Sequence, residues 1–358
     1  MSLYESWLRP VLFRQDPEQV HELAITSAAW GSRSPWVLNA VRAMAGIPDL
    51  PALQQTLWGL PFRHPLGLAA GFDKNAQGIP FWQALGFAFA EVGTVTALAQ
   101  PGNPKPRLFR LPADQAILNR LGFNNQGAAA MAQALAQHPH SGIPVGINLG
   151  KSKVTALDDA AADYVASWQQ LYPFGDYFVI NVSSPNTEGL RQLQDKERLE
   201  AIILALQAHN PQAKPLLVKV APDLGWAALD DILALGEAHG LAGVIATNTT
   251  LSREGLSTPG FAEAAGGISG QPLRERSTAM IRHIHQHSSL PVIGVGGVAS
   301  AAHAWEKLAA GASLVQIYTG LVYGGPGIIA TIVRGLAQRL YQEGLEHLSA
   351  VIGSGIPY

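Results

Sequence analysis

The sequence predicts an α/β fold, a (β/α)8 TIM barrel that carries a small N-terminal helical segment. From residue 65 onward, short apolar runs alternate eight times with stretches of helical periodicity. Near-continuous apolar strands separated by helices indicate a parallel sheet whose outer face is covered by helices. Eight such units in about 270 residues fit a closed barrel. The eight runs are residues 65–71, 87–95, 143–150, 176–182, 215–221, 242–248, 291–297 and 313–320.

An open, doubly wound sheet is the alternative α/β architecture. Such a sheet usually has fewer strands and a single glycine-rich fingerprint at the turn after its first strand. No GxGxxG pattern follows residues 65–71. The number of strands and the missing fingerprint therefore favour the barrel.

Residues 1–45 differ from the rest, and we predict them as a separate helical segment before a barrel over residues 46–358. Asp16 and Pro17 have the residue types of a helix N-cap and first helical position, and apolar residues follow at helical spacing. The segment is either a lid that dips into a membrane interface or admits an apolar ligand, or a plug at the bottom of the barrel. The residues alone favour the plug.

Composition excludes several classes of function. Of 358 residues, 47% are hydrophobic and only 14% are charged, so we expect part of this low-charge surface to be covered. The net charge of −2 and the lack of Lys/Arg runs argue against a nucleic-acid partner. The chain has no cysteine, which excludes disulfides, thiolate zinc sites, iron–sulfur clusters and a catalytic cysteine. Its eleven histidines present no common ligand face, so we expect no metal site.

The N-terminus lacks the basic and uninterrupted apolar regions of a signal peptide. No apolar run reaches the roughly 18–20 residues that are needed to cross a bilayer. We therefore expect a protein that is made and kept in the cytosol and that can still touch a membrane surface.

Polar residues or glycines end most of the predicted strands. In a barrel, the carboxyl ends of the strands form one mouth, and active sites lie there. Loops that serve only as turns would not produce this convergence. The strand-end residues are Lys74, Thr94, Asn148, Asn181 with Ser184, Lys219, Asn248, Gly296 with Gly297, and Tyr318 with Thr319.

The fourth run, DYFVINVSSPNT at residues 176–187, is the most informative. A buried strand that delivers Asn181, Ser184 and Asn186 at its end calls for a polar ligand, although Asn and Ser also commonly make turns. No His, Asp or Glu stands in this cluster, and no GxSxG elbow surrounds Ser184. If Ser184 acts as a base, it needs a shielded site that passes its proton onward, and Thr187 is placed to help.

Glycines and lysines complete the predicted mouth. Phosphate sites of barrels are built by the loops after strands seven and eight, which here contain Gly296-Gly297 and Thr319, and a GGISG turn at residues 266–270 could add amides. Lys74 and Lys219 lie in apolar, low-charge surroundings. Each is a Schiff-base nucleophile, a fixed positive charge beside an electron-rich ligand, or a structural lysine paired with Asp73 or Asp223. The residues do not choose between these roles.

Eleven motifs, in order and across nearly the whole chain, resemble those of the quinone-dependent dihydroorotate dehydrogenases. They are LAAGFDKN, EVGTVT, GNPKPRLFRL, NRLGFNN, GINLGKSK, INVSSPNT, VKVAPDL, IATNTT, GGISGQPLR, IGVGGV and GASLVQIYTG. The resemblance implies oxidation of (S)-dihydroorotate to orotate in pyrimidine biosynthesis, with one FMN per chain as first acceptor and a membrane quinone as the second.

The resemblance also implies roles for individual residues. Ser184 removes the C5 proton while hydride leaves C6 for the flavin. The pyrimidine and its carboxylate are bound by Lys74, Asn119, Gly122, Phe123, Asn181, Asn186, Asn248 and Thr249. The flavin is bound by Ala70, Gly71, Lys74, Thr94, Asn148, Asn181, Lys219, Thr247, Gly270, Gly297, Tyr318 and Thr319. His21 and Arg110, with Tyr318, match the quinone end.

By the same resemblance, the N-terminal helices form a membrane-docking tunnel instead of a plug. The enzyme is then peripheral on the cytoplasmic face of the cell membrane and needs no protein subunit. Related soluble enzymes use a cysteine base, which this chain lacks. Departures are small, with Ser152 in GKSK and Ile268 in GGISG where the family usually has Asn and Leu. The rival hypothesis is a phosphate-binding lyase or aldolase barrel with Lys219 as Schiff base.

Overall fold

The computed structural model describes residues 4–138 and 142–358 and contains a closed barrel of eight parallel strands. The strands of the described chain are β1 (Gln55–Leu57), β2 (Leu60–Phe62), β3 (Leu66–Leu68), β4 (Ala90–Val95), β5 (Leu108–Leu111), β6 (Ala116–Asn119), β7 (Val145–Leu149), β8 (Tyr177–Asn181), β9 (Leu216–Val220), β10 (Gly243–Ala246), β11 (Gly267–Gly270), β12 (Val292–Val295) and β13 (Ala312–Ile317).

The barrel strands follow one another in chain order as β3, β4, β7, β8, β9, β10, β12 and β13. The last strand closes on the first, with Val315 opposite Leu66 and Ile317 opposite Leu68. Seven of the eight barrel strands lie inside a predicted run, and β13 begins one residue before its run, at Ala312. The predicted barrel is therefore confirmed.

Helices cover the outside of the barrel and form the N-terminal segment. They are α1 (Arg9–Leu12), α2 (Pro17–Ser32), α3 (Pro35–Ala45), α4 (Ile79–Leu85), α5 (Ala128–Ala136), α6 (Ala160–Leu171), α7 (Lys196–Gln207), α8 (Trp226–Ala238), α9 (Arg274–His287), α10 (Ala301–Ala309), α11 (Thr319–Gly324) and α12 (Ile328–Gln342), after an initial π-helical turn at Tyr4–Leu8. No helix of the described residues is long and apolar enough to cross a bilayer.

Local capping explains where α2 begins. The Asp16 carboxylate accepts the backbone N–H groups of Glu18 and Gln19 at 3.0 and 2.9 Å, and Pro17 takes the first helical position. A side-chain oxygen at the N-cap satisfies amides that the helix itself leaves without partners. The predicted start of this helix is confirmed.

The bottom of the barrel is closed by the antiparallel hairpin of β1 and β2, in a stretch that the sequence marks only as a link. Trp58, at the hairpin turn, donates its indole N–H to the carbonyl of Ala242 at 2.7 Å. Its ring packs on Tyr177, and the ring of Phe62 lies edge-on to that of Phe89, inside the barrel. The plug is this hairpin, so the interpretation of residues 1–45 as the plug is wrong.

The N-terminal helices lie instead beside the mouth. His21 of α2 contacts Phe72, which follows β3, with ring centroids 5.0 Å apart. It also stacks against Tyr318, which follows β13, at 6.4 Å. Both partners come after the carboxyl ends of barrel strands, and the helices therefore border the side of the barrel where the strand-end residues converge.

A second, three-stranded antiparallel sheet stands next to the mouth, in the order β11, β6, β5. Ile268 pairs with Leu118, and Leu118 pairs with Phe109. Residues 267–270 thus form a strand, so the predicted GGISG turn is wrong for these four positions. The backbone N–H and carbonyl of Ile268 bond to Thr250, while the strand pairs with β6 on its other side.

Candidate active site

A cavity of about 1010 Å³, open solvent at its mouth included, lies at the carboxyl ends of the barrel strands. It is lined by Ser184, by all eight predicted substrate residues and by the predicted flavin residues except Asn148. It also brings in Leu108, Ile117, Gly296, Gly320, Ser269 and Gln316. None of the described lining residues is His, Asp or Glu. The cavity therefore offers hydroxyls, amides and lysines.

Neutral amides are tied together along one wall of this cavity. The Asn186 amide donates to the Oδ1 atom of Asn119 at 2.9 Å. Asn248 donates to Ser183 at 3.0 Å and to Asn181 at 3.3 Å. These bonds fix the orientation of each amide and leave other donors and acceptors facing the cavity. Such a wall suits a flat ligand whose edge alternates donors and acceptors.

Ser184 is almost fully buried and sits three residues after the end of β8. Its hydroxyl oxygen accepts the backbone N–H of Asn186 at 3.3 Å, its only hydrogen bond among the described residues. Among residues 4–138 and 142–358, no acidic or imidazole group makes a hydrogen bond with this hydroxyl. Thr187, three residues further, keeps a buried hydroxyl without a hydrogen-bond partner in the described chain.

Lys74 and Lys219 line the cavity, and neither ammonium group has a protein hydrogen bond in the described chain. Burial lowers the pKa of Lys74 to about 8, against the opposing charge of Glu18, so the ammonium form still dominates at neutral pH. The predicted structural pairs do not occur. Asp73 accepts Gly78 and Trp82 instead, and Asp223 pairs with Arg191. The two ammonium groups are therefore available to an anionic ligand.

Glu91 was not predicted, and it organises the barrel interior beneath the cavity. Its buried carboxylate accepts Asn148 at 2.7 Å and Gln316 at 2.6 Å and lies 3.8 Å from the Lys219 ammonium. Asn148 in turn accepts the Thr94 hydroxyl at 2.5 Å. Asn148 lies behind the cavity wall, where it holds Thr94. Glu91 was missed because it lies near the start of β4, whereas the sequence-based search for site residues considered only the carboxyl ends of strands.

A second cavity of about 1100 Å³, open solvent included, lies between the N-terminal helices and the barrel. Its lining is mostly apolar and includes Phe13, Val20, Ala24, Ser27, Phe72, Trp82, Leu85 and Val322, together with both predicted quinone-side residues, His21 and Arg110. Leu108, Ile117 and Tyr318 line both cavities. The two cavities are thus adjacent and share a wall.

Polar groups at the edge of the second cavity fasten the helices to the barrel. Arg110 donates to the carbonyl of Leu12 at 2.9 Å, and its guanidinium lies 4.5 Å from the centre of the Phe13 ring. Burial lowers the pKa of His21 to about 3, helped by the charge of Lys74, so this imidazole is neutral at physiological pH. A neutral ring fits an apolar cavity.

A buried ion pair joins α2 to the loop before β5. Arg107 donates to Glu18 at 2.7 Å, and both side chains are 7% exposed. Burial opposes ionisation of Glu18, but the hydrogen bond and charge of Arg107 outweigh it and lower the pKa of this carboxyl. Arg107 also donates to the carbonyl of Asn103 at 2.8 Å, and the Asn103 amide donates to the carbonyl of Asn186. The N-terminal helix is therefore connected to the amide wall.

The fold and the site together define the class of protein. It is a barrel enzyme with a polar cavity that can bind an anion and an adjoining apolar cavity that is bordered by the N-terminal helices. The sequence model of the family described as Dihydroorotate dehydrogenase matches residues 52–340. The chain belongs to this family and is an oxidoreductase. Family membership implies a flavin and, for the relatives below, a quinone co-substrate.

Curated relatives extend the similarity over nearly the full chain. The dihydroorotate dehydrogenase (quinone) of Gloeobacter violaceus is 56% identical over 355 residues, which cover 99% of each chain. That of Acaryochloris marina is 52% identical over 374 aligned positions, 99% of this chain and 100% of the relative. The match includes the N-terminal helices as well as the barrel.

Solved structures give the same result. Ligand-free DHODH from Eimeria tenella superposes with a TM-score of 0.86 at 35% identity and covers 95% of this chain and 99% of its own. The same enzyme in complex with ferulenol gives a TM-score of 0.84 at 34% identity, with 95% of each chain covered.

Proposed function

We propose that the chain oxidises (S)-dihydroorotate to orotate in the mouth cavity, with FMN as the bound acceptor. The electrons then pass from the flavin to a membrane quinone in the apolar cavity. The observation that carries this proposal is the pair of adjoining cavities of opposite chemistry. One cavity has neutral amides and two ammonium groups that make no protein hydrogen bond in the described chain, and the other is apolar. The name of the curated relatives supports the quinone.

The chemistry of the cavity wall fits FMN. When it is bound, the flavin supplies a two-electron acceptor. Lys219 would hold its electron-rich ring edge, since this ammonium lines the cavity, makes no protein hydrogen bond in the described chain and lies 3.8 Å from the Glu91 carboxylate. Glycines with positive φ at positions 296 and 297 let the backbone come close to a phosphate, and Thr319 adds a hydroxyl.

The amide wall accounts for substrate binding. Asn119, Asn186 and Asn248 each present donor and acceptor atoms, and a dihydropyrimidine ring carries alternating N–H and C=O groups. The carboxylate of the substrate would be held by Lys74. Phe123, 8% exposed and also on the wall, would cover the ring and exclude water.

Ser184 is proposed as the base that takes the C5 proton. Its hydroxyl already accepts the Asn186 amide N–H, and that donor would stabilise the oxygen as it loses its own proton. Thr187 would relay the proton, taking it at its hydroxyl oxygen while passing its own proton onward to solvent, since this buried hydroxyl has no hydrogen-bond partner in the described chain. The absence of His, Asp and Glu from the described lining supports this assignment.

The N-terminal helices are proposed to dock on the membrane from its cytoplasmic side. Half of the fourteen large apolar side chains that are exposed in the described chain lie before residue 46, among them Trp30 at 67%, Trp36 at 78% and Met44 at 79% exposed. An apolar surface of this kind beside a cavity mouth suits a lipid-soluble quinone.

The test is the visible spectrum of the purified protein under anaerobic conditions. We expect a yellow protein with bound FMN whose absorbance bleaches on addition of dihydroorotate and returns on addition of a quinone. A colourless protein, or one that borohydride traps covalently with a carbonyl substrate at Lys219, would support the lyase alternative.

A further inference from the structure

We infer that Arg191 is a positioning residue that clamps the Ser184 loop onto the two neighbouring loops of the mouth. The Ser184 loop is defined here as residues 183–195, between β8 and α7. The inference rests on the proposed role of Ser184 in the dihydroorotate reaction. Arg191 itself does not line the cavity and lies outside every predicted motif.

One guanidinium group holds three segments together. Its Nε donates to the carbonyl of Ser183 at 3.1 Å, directly before the proposed base. One Nη donates to the carbonyl of Thr249 at 3.1 Å, next to the amide wall. The other Nη donates to the carboxylate of Asp223 at 2.8 Å. The three acceptors follow β8, β10 and β9, so the bonds cross the mouth from loop to loop.

Asp223 makes the clamp rigid on the far side. Besides the Arg191 bond, its carboxylate accepts the hydroxyl of Thr250 at 2.5 Å and the backbone N–H of Leu251 at 3.0 Å. The side chains of Arg191 and Asp223 are only 22% and 27% exposed, so water competes weakly for these bonds. Charge-assisted hydrogen bonds between arginine and a carboxylate fix the relative orientation of the two groups as well as holding them together.

The rest of the loop shows why a clamp is needed at this point. Leu190 and Leu193 are fully buried and fix the later half of the loop in the core. The earlier half, residues 183–189, carries Ser184 and consists of small polar residues, a proline, a glutamate and a glycine. Neutral side chains also bond to this half: Asn248 to Ser183, and Asn119 and Asn103 to Asn186. The Arg191 bond adds a charged donor that holds the carbonyl of Ser183, one residue before Ser184.

Only arginine fits the role. Its planar group donates in three fixed directions, whereas a lysine ammonium is a single flexible point. We therefore expect Arg191→Gln to lower the rate of flavin reduction by dihydroorotate about 100-fold, the size of effect that a small displacement of a reacting group produces. Arg191→Lys should fall in between. Asp223→Asn should lose about tenfold, since two of the three Arg191 bonds remain.

The direct test combines this rate with hydrogen exchange of the FMN-loaded enzyme. In Arg191→Gln the amides of residues 183–189 should exchange faster than in the wild type, with FMN content unchanged. The matched control is Arg198→Gln, because Arg198 lies on α7 and its described bonds go to Gln192, in the later half of the loop, and to Asp158, with none to residues 183–189. It should alter neither quantity.

Guanidinium ions at millimolar concentration should partly restore the rate of Arg191→Ala, which a misfolded variant would not show. Unchanged exchange in Arg191→Gln overturns the clamp, whether or not the rate falls. If the exchange rises while Ser184→Ala still reduces flavin at the wild-type rate, the clamp stands and the proposed base is wrong. The two failures are therefore distinguishable.

Discussion

The two cavities share a wall but are built by different means. The mouth cavity is made from residues at the ends of seven of the eight barrel strands and from the neighbouring three-stranded sheet, which hold one another through hydrogen bonds such as that from Asn186 to Asn119. The apolar cavity is made from packed rings and aliphatic groups, with His21 kept neutral inside it. The mouth cavity can select a polar ligand through hydrogen-bonding groups at fixed positions, whereas the second cavity can bind any apolar ligand that fits its volume. Changes in one cavity should therefore leave the chemistry of the other intact.

The largest effect is expected from a substitution in the mouth cavity that should slow only the first half-reaction. Ser184→Ala removes the proposed base, and a positioned base contributes about 100- to 10,000-fold. We expect flavin reduction by dihydroorotate, followed by stopped flow, to slow by this factor with FMN still bound. After reduction by dithionite, reoxidation by quinone should match the wild type. Equal slowing of both half-reactions would contradict a mouth-specific role.

A smaller effect is expected from filling the apolar cavity. Ala24 is exposed and lines this cavity, so Ala24→Trp would occupy space that a quinone needs. Overfilling an apolar site costs about 1–3 kcal/mol, a rise of about 10- to 100-fold in the KM for a long-chain quinone. Flavin reduction should not change.

Thr26→Trp is the matched control for this substitution, because Thr26 is exposed on the same helix and does not line the cavity. A rise in KM with both variants would mean that helix α2 responds to bulk anywhere on its surface. Substitution is preferable to deletion of the helices, since deletion would leave Arg107 buried without Glu18, at a cost of about 3–5 kcal/mol.

The smallest effect concerns the membrane-facing surface of the helices. Trp36→Ser removes a 78% exposed ring from α3 and should weaken binding to lipid vesicles about tenfold in a sedimentation assay. Tyr341→Ser, at an 86% exposed site on α12, is the control and should bind like the wild type. If Tyr341→Ser weakens binding as much as Trp36→Ser does, the docking surface is not at the N-terminal helices.

The barrel could be predicted from sequence because its signal is repeated. Each strand is a separate apolar run in the sequence, so a wrong assignment of one strand leaves the assignment of the other seven unchanged. The hairpin at Trp58 escaped prediction because its turn is Trp-Gly, with φ of 56° at the tryptophan, where Asn-Gly or Asp-Gly is the usual signal. The strand at residues 267–270 escaped because its glycines are typical of turns.

Site residues at strand ends were predictable, whereas their supports were not. The residues that line the mouth follow from strand position and motif. Glu91, Arg107 and Arg191 act through partners 32 to 225 positions away in the chain, such as Gln316 for Glu91 and Asp223 for Arg191. Nothing local distinguishes these charged side chains from exposed ones, and only the folded chain brings the partners together.

The proposed function assigns one half-reaction to each cavity, independently of the other. The most direct test measures both half-reactions by stopped flow in the double variant Ser184→Ala/Ala24→Trp. We expect flavin reduction to fall as in Ser184→Ala alone and quinone reoxidation as in Ala24→Trp alone, because Ser184 lines only the mouth cavity, Ala24 lines only the apolar cavity, and substitutions without shared partners act additively. A further loss in either half-reaction beyond its single variant would show that the cavities are coupled and that they do not act independently.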